Sequence, residues 1–235
     1  MHLSEDQQAQ LDVAVVYAKE NRKQLARDRT STTEFPPEVN PVSVFMAGSP
    51  GAGKTEASIE LLRKFDQAVL RIDPDELRHM LPGYTGQNAN LFQRPVSILV
   101  DSILDRAFHN RQSFILDGTL ARKAVARKNI DRSLRTNRVV QILYVYQKPA
   151  MAWKFVQARE RDEGRSVPVE SFIAQYFESR EVVNQMKTEL GSKIRLDLLL
   201  KNLDGTNRTY KSNIEKIDYY IPETYSRRSL TQLLT

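Results

Sequence analysis

The chain has 235 residues, 40% apolar and 27% charged, the proportions of a globular protein with room for one substantial α/β domain and additions. Its 35 Lys and Arg against 29 Asp and Glu give a net charge of +6. The absence of cysteine excludes a disulfide framework, a thiolate zinc site and a cysteine nucleophile, and fits a reducing cytoplasm.

Residues 4–28 place Leu11, Ala14, Val15 and Ala18 at helical spacing, which predicts an N-terminal helical arm. No basic stretch leads into an apolar core near Met1, so no secretory signal is expected. No apolar run reaches the length of a membrane span either. Segment 30–41 holds Pro36, Pro37 and Pro41, which remove backbone donors and fix φ, and it reads as a linker.

From there strand and helix alternate. Strands are predicted at 42–47, 68–72, 113–116, 139–145 and 194–200. Helices are predicted at 55–65, 95–110, 122–136, 149–162 and 168–189, with a Gly- and Asn-rich connection at 82–90. Units of this length predict an α/β fold with a parallel sheet of about five strands covered by helices on both faces. The implied organisation is an arm and linker at 1–38, a core at 39–205 and a C-terminal extension at 206–235. That tail is polar and rich in Tyr (Tyr210, Tyr219, Tyr220, Tyr225), and its sequence leaves hairpin, helix and mobile segment open.

Between the first strand and its helix lies Gly48-Ser49-Pro50-Gly51-Ala52-Gly53-Lys54-Thr55, a G-x4-G-K-[ST] phosphate loop in its required strand–helix context. Its glycines let backbone N–H groups turn inward and approach phosphates closely. The helix that follows presents its positive end. Lys54 is placed to reach β/γ-phosphates, and the Thr55 hydroxyl to ligate Mg²⁺.

The second strand runs out in Asp73-Pro74-Asp75-Glu76-Leu77-Arg78. A carboxylate at this sheet edge either accepts a proton from an attacking hydroxyl or caps a helix, and position alone does not separate the two. Asp117-Gly118-Thr119 ends the third strand, where an acid would hold Mg²⁺ through water, bind substrate or simply make a turn. Arg159-Glu160-Arg161-Asp162-Glu163-Gly164-Arg165 reads as a solvated helix face or as a lid whose guanidiniums neutralise transferring phosphate. The positive charge suits either nucleic acid or a kinase's own polyanionic ligands. It is spread along the chain and not interleaved with aromatics, which disfavours nucleic acid.

Taken together, Gly-Ser-Pro-Gly-Ala-Gly-Lys-Thr, Ile-Asp-Pro-Asp-Glu-Leu-Arg, Phe-Ile-Leu-Asp-Gly-Thr and Arg-Glu…Glu-Gly-Arg resemble the zeta toxin family, P-loop kinases of bacterial toxin–antitoxin systems, over 42–202. The resemblance implies a P-loop kinase-like fold and ATP-dependent phosphorylation of a sugar hydroxyl of UDP-N-acetylglucosamine, with Mg²⁺. It implies Asp75 as general base, with Lys54, Arg159 and Arg165 stabilising the transferred group. It places Asp73, Arg78, Asp101, Asp117 and Thr119 on the acceptor side. Family members carry Glu at the positions of Asp101 and Asp117, and an arginine at that of Ala121. The family's antitoxin blocks the nucleotide site with a helix, which suggests either a separate antitoxin partner or a cis-acting role for residues 4–28.

Overall fold

The computed structural model describes residues 3–201, 208–221 and 223–235. The boundary drawn between 205 and 206, and the end of the family resemblance at 202, lie outside them. The chain forms α1 (Glu5–Arg29), β1 (Val42–Ala47), α2 (Lys54–Leu62), β2 (Leu70–Ile72), α3 (Pro74–Arg78), α4 (Gln93–His109), β3 (Phe114–Leu116) and α5 (Lys123–Arg135). It continues through β4 (Val139–Tyr146), α6 (Pro149–Glu163), α7 (Val169–Leu190), β5 (Arg195–Lys201), β6 (Arg208–Lys211) and α8 (Arg227–Leu234).

The sheet order is β2-β3-β1-β4-β5-β6. β1 pairs in parallel with β3 (Val44 opposite Ile115) and with β4 (Val44 opposite Gln141). β2 and β5 extend the parallel set, and β6 joins β5 antiparallel, Leu199 opposite Tyr210. The expected fold is therefore the one adopted, with a sixth strand that the polar composition of 208–211 conceals. β6 is exposed throughout and makes an edge, where apolar alternation is not required.

β1 shows why the sheet is two-sided. Phe45 and Ala47 join the large core formed with Leu99, Ile103, Tyr176 and Val183. Val44 and Met46 face a smaller one with Ala52, Ala57 and Val145. Five of its six residues are buried, as expected of a central parallel strand covered on both faces.

α1 begins with a capping box, Ser4 and Gln7 exchanging side-chain-to-backbone bonds. It buries Ala14, Ala18 and Ala26, small residues that let its axis come close to α4, and Ser102 Oγ donates to the Arg22 carbonyl at 3.1 Å. The proline-rich segment after it is pinned: Gln112 Nε2 donates to the carbonyls of Thr30 (3.1 Å) and Phe35 (2.7 Å), and Arg111 to that of Val39 (2.5 Å). At the other end, Ile214, Ile217 and Leu230 are buried in the same large core. No helix among the described residues is long and apolar enough to cross a membrane.

Ala18 is fully buried. The substitution Ala18→Leu is therefore expected to overpack the α1–α4 contact and cost about 1–3 kcal/mol in urea unfolding, with the m-value unchanged. A change under about 0.5 kcal/mol would show that α1 is only loosely seated.

Candidate active site

Three strand exits meet at the carboxyl edge of the sheet. The chain leaves β1, crosses to β2 at the edge and returns through β3, so the loop after β1 lies where the connections diverge to either side. That loop is 48–53. Gly48, Gly51 and Gly53 all have positive φ, and a β-carbon on Gly51 would fall on the Ala152 carbonyl of α6. The loop can exist only with a bare backbone. No side chain caps α2, whose N-cap residue is Gly53 in the left-handed region, so the first amides of that helix keep their donors. The cradle fits a chain of phosphates.

Both ends of the loop are fixed. The Gly48 amide donates to Ser179 Oγ (2.8 Å) and to the Thr119 carbonyl (3.3 Å), and Ser179 Oγ donates to that same carbonyl at 2.5 Å. Lys54 Nζ donates to the Ser49 carbonyl at 2.7 Å and folds back over the loop. Burial pushes its pKa down to about 8, assisted by Arg165 and Arg159 and opposed by Asp117 and Asp75. The Thr55 side chain makes no hydrogen bond or ion pair among the described residues.

The two acids after β2 divide their tasks. Asp73 is the N-cap of α3, accepting from the Asp75 amide at 2.8 Å. Burial raises its pKa, aided by Asp75 and Asp117 and opposed by the Asp75 amide and Arg71. Asp75 is free of the cap. One carboxylate oxygen is ion-paired with Arg78, the other with Arg165. Burial acts to raise the Asp75 pKa, but Arg165, Arg78 and Arg159 outweigh it and hold the carboxyl below the usual aspartate range. Arg78 also donates to Gln93 Oε1 at 3.1 Å.

Arg165 arrives from the turn that ends α6, where Gly164 adopts a left-handed C-cap. This turn lies against the 83–90 loop: a β-carbon on Gly86 would stand 2.8 Å from the Gly164 carbonyl. Arg159, one turn back on α6, pairs with Glu163 at 3.1 Å and is 43% exposed. The lid expected at 159–165 is therefore a helix end plus turn, with one arginine on Asp75 and the other facing solvent.

Sequence inspection passes over Arg71, on which the acids depend. Its guanidinium pairs with Asp73, with Glu76 at 2.5 Å and with Asp117 at 2.9 Å, and donates to Ser58 Oγ at 3.0 Å. Burial would lower its pKa, but these partners raise it. Ser58 in turn donates to Asp117 at 3.0 Å. The only signal in the sequence is a cation inside a short apolar strand. Ser179, fully buried at the loop's start, is hidden in the same way within the pattern of α7.

The structure brings Lys54, Asp73, Asp75, Arg78, Asp117, Arg165 and the loop 48–55 together. Asp101 lies apart. It sits on α4 on the side away from Val96, Leu99 and Ile103, is 44% exposed, and pairs with Lys128 (2.9 Å) and Arg132 (3.7 Å). Thr119 contributes its backbone carbonyl to the loop, as described. Among the described residues, no group of three or more His, Asp or Glu is arranged to hold a metal ion.

Fold and loop are those of the P-loop kinases. The zeta toxin profile matches residues 25–215, and the chain belongs to the zeta toxin family. Its structure is similar to one from the PezAT chromosomal toxin–antitoxin system of Streptococcus pneumoniae (TM-score 0.61, 15% identity, 100% of this chain and 89% of that one). It is also similar to AvrRxo1-ORF1:AvrRxo1-ORF2 with sulphate ions (TM-score 0.58, 16% identity, 92% and 72%) and to the same pair with ATP (TM-score 0.57, 13% identity, 92% and 72%). No curated protein sequence matches the chain significantly.

Removing the shared cation tests the acid cluster. Arg71→Met leaves Asp73 and Asp117 buried together without it, and is expected to cost about 3–5 kcal/mol in urea unfolding.

Proposed function

We propose that the protein is an ATP-dependent kinase of zeta-toxin type, which transfers the γ-phosphoryl group to a sugar hydroxyl of UDP-N-acetylglucosamine or a related sugar nucleotide and acts in the cytoplasm as a bacterial toxin. The observation that carries the reading is Asp75, a half-buried carboxylate ion-paired with Arg165 beside the phosphate loop. Family membership supports it, as does likeness in fold to a toxin–antitoxin component and to a complex with ATP.

In this reading the loop amides, Lys54 and Thr55 receive the phosphates. Thr55, with Asp117, which follows β3 and accepts from Ser58 one turn further along α2, would hold Mg²⁺, which would supply charge neutralisation on the phosphate oxygens. Arg165 moves from Asp75 to the transferring group, where Arg159 joins it. The carboxylate oxygen so released accepts the acceptor's hydroxyl proton as that oxygen bonds to the γ-phosphorus and the bond to the β-phosphate oxygen breaks, leaving ADP. Arg78 holds the other oxygen and fixes the carboxylate plane.

We place Asp73, Arg78, Asp101, Asp117 and Thr119 on the acceptor side by family resemblance. Asp117 and Asp101 are engaged by this chain's own cations, which favours a second reading: a P-loop kinase for another acceptor, such as a nucleotide, an antibiotic or a polynucleotide end. A regulatory nucleotide-binding module would keep ATP binding and transfer to nothing. We also propose an antitoxin partner. The contacts of α1 run to α4, through Arg29 to Glu76 (3.9 Å) and Met80 Sδ (3.6 Å), and through Gln10 to Asn88 (3.4 Å).

The test is transfer of radiolabelled γ-phosphate to a panel containing UDP-N-acetylglucosamine, nucleotides, aminoglycosides and 5′-hydroxyl oligonucleotides. Label on the sugar nucleotide supports the first reading, label elsewhere the second, and ATP binding without transfer the module. Asp75→Asn is expected to lower transfer by about 10²–10⁴-fold with ATP affinity kept; full activity would remove Asp75 from the mechanism.

Lys54 gives the pH dependence. With its pKa near 8 in the free protein, ATP must bind to the protonated form. Binding therefore takes up a proton, and affinity is expected to fall as pH rises through 8. Calorimetry in buffers of different ionisation heat measures the uptake.

A further inference from the structure

Lys201 closes β5, and its side chain runs back over the phosphate loop. Nζ donates to the Gly53 carbonyl at 3.2 Å and lies 3.9 Å from the Glu56 carboxylate; the side chain is only 10% exposed. A β-carbon on Gly53 would fall on this ammonium group. Among the described residues these are its hydrogen-bond and ion-pair partners, a poor setting for a cation. Gly53 is the N-cap of α2, so Lys201 stands at the positive end of that helix, next to the residue that bears Lys54.

Neither partner neutralises it well. The Gly53 carbonyl already accepts from the Ala57 amide at 3.2 Å, and Glu56 is 67% exposed, where solvent screens its charge. Burial lowers the Lys201 pKa and Arg208 adds to the effect, with Glu56 opposing. An anion on the loop would offset each of these costs.

Topology says which part of that anion is within reach. Asp75 follows β2 and Lys201 ends β5, and in the order β2-β3-β1-β4-β5 they flank the loop from opposite sides. The transferring end of a nucleotide lies toward Asp75 and Arg165. The end toward β5 carries the nucleoside.

We propose that Lys201 is a nucleotide-binding residue that holds the phosphate nearest the nucleoside, swinging from Gly53 and Glu56 onto it when a nucleoside di- or triphosphate enters. This rests on the P-loop kinase reading above. It predicts equal importance for ATP and ADP, which share that phosphate, and little importance for the chemical step.

The experiment is calorimetric titration of the full chain with ATP and with ADP, for wild type, Lys201→Met and, as reference, Lys54→Met. A charge-assisted hydrogen bond corresponds to a loss of about 10-fold or more. Lys201→Met is expected to weaken ATP and ADP alike by that factor. Lys54→Met should instead weaken ATP more than ADP. Binding of both nucleotides by Lys201→Met within twofold of wild type would reduce Lys201 to a strut between β5 and α2 and overturn the proposal. So would a loss confined to ATP. If wild type binds neither nucleotide, the kinase reading itself fails, and this assignment with it. Should Lys201→Met not fold, Glu56→Gln gives the second measurement. Freeing the ammonium from its carboxylate should tighten ATP binding by about twofold or more, and weaker or unchanged binding would count against the proposal.

Discussion

The candidate site depends on one buried cation. Arg71 lies among three carboxylates that would otherwise repel one another at a sheet edge, Asp73 and Asp117 with little access to water and Glu76 half exposed. Its guanidinium has a donor for each and one left for Ser58, a planar fork that an ammonium could not replace. By holding these groups it joins β2 to β3, α3 to the sheet, and α2 to both. The start of α3 is thereby set, and with it the place from which Asp75 meets Arg165. Glu76 then passes the linkage to Arg29 at the end of α1.

How much of this was legible in the sequence follows from the range of the forces involved. The phosphate loop was readable because its requirement is local: a strand, glycines that tolerate positive φ, and a helix. The parallel strands were readable because burial on both faces leaves continuous apolar runs. β6 was not, since an exposed edge strand needs no such run. The Arg71 cluster joins positions 58, 71, 73, 76 and 117, which come together only once the order β2-β3-β1 is known. Asp101 is a different case. Its helical phase relative to Leu99 and Ile103 already turns it away from the core, toward the cations of α5.

Asp75 and Arg165 bind each other. A carboxylate doubly paired with arginine is a weak proton acceptor, since its charge is already neutralised. On the proposed reading, the arrival of a triphosphate competes for Arg165 and restores basicity at the moment it is needed. Water is then denied an active base while the donor site is empty. The arginine therefore couples the donor half of the site to the acceptor half.

The contact between Gly86 and Gly164 extends that coupling to sequence change. Two backbones meet there: a β-carbon on Gly86 would stand 2.8 Å from the Gly164 carbonyl, whereas one on Gly164 would meet only the Thr85 carbonyl at 3.9 Å, so it is Gly86 that cannot be replaced without displacing its partner. The 83–90 loop follows Arg78 in the chain, while Gly164 precedes Arg165, which pairs with Asp75. On the proposed reading, a substitution at Gly86 that moves this loop would also move the turn that carries Arg165, so changes on the two sides of the site would not be independent.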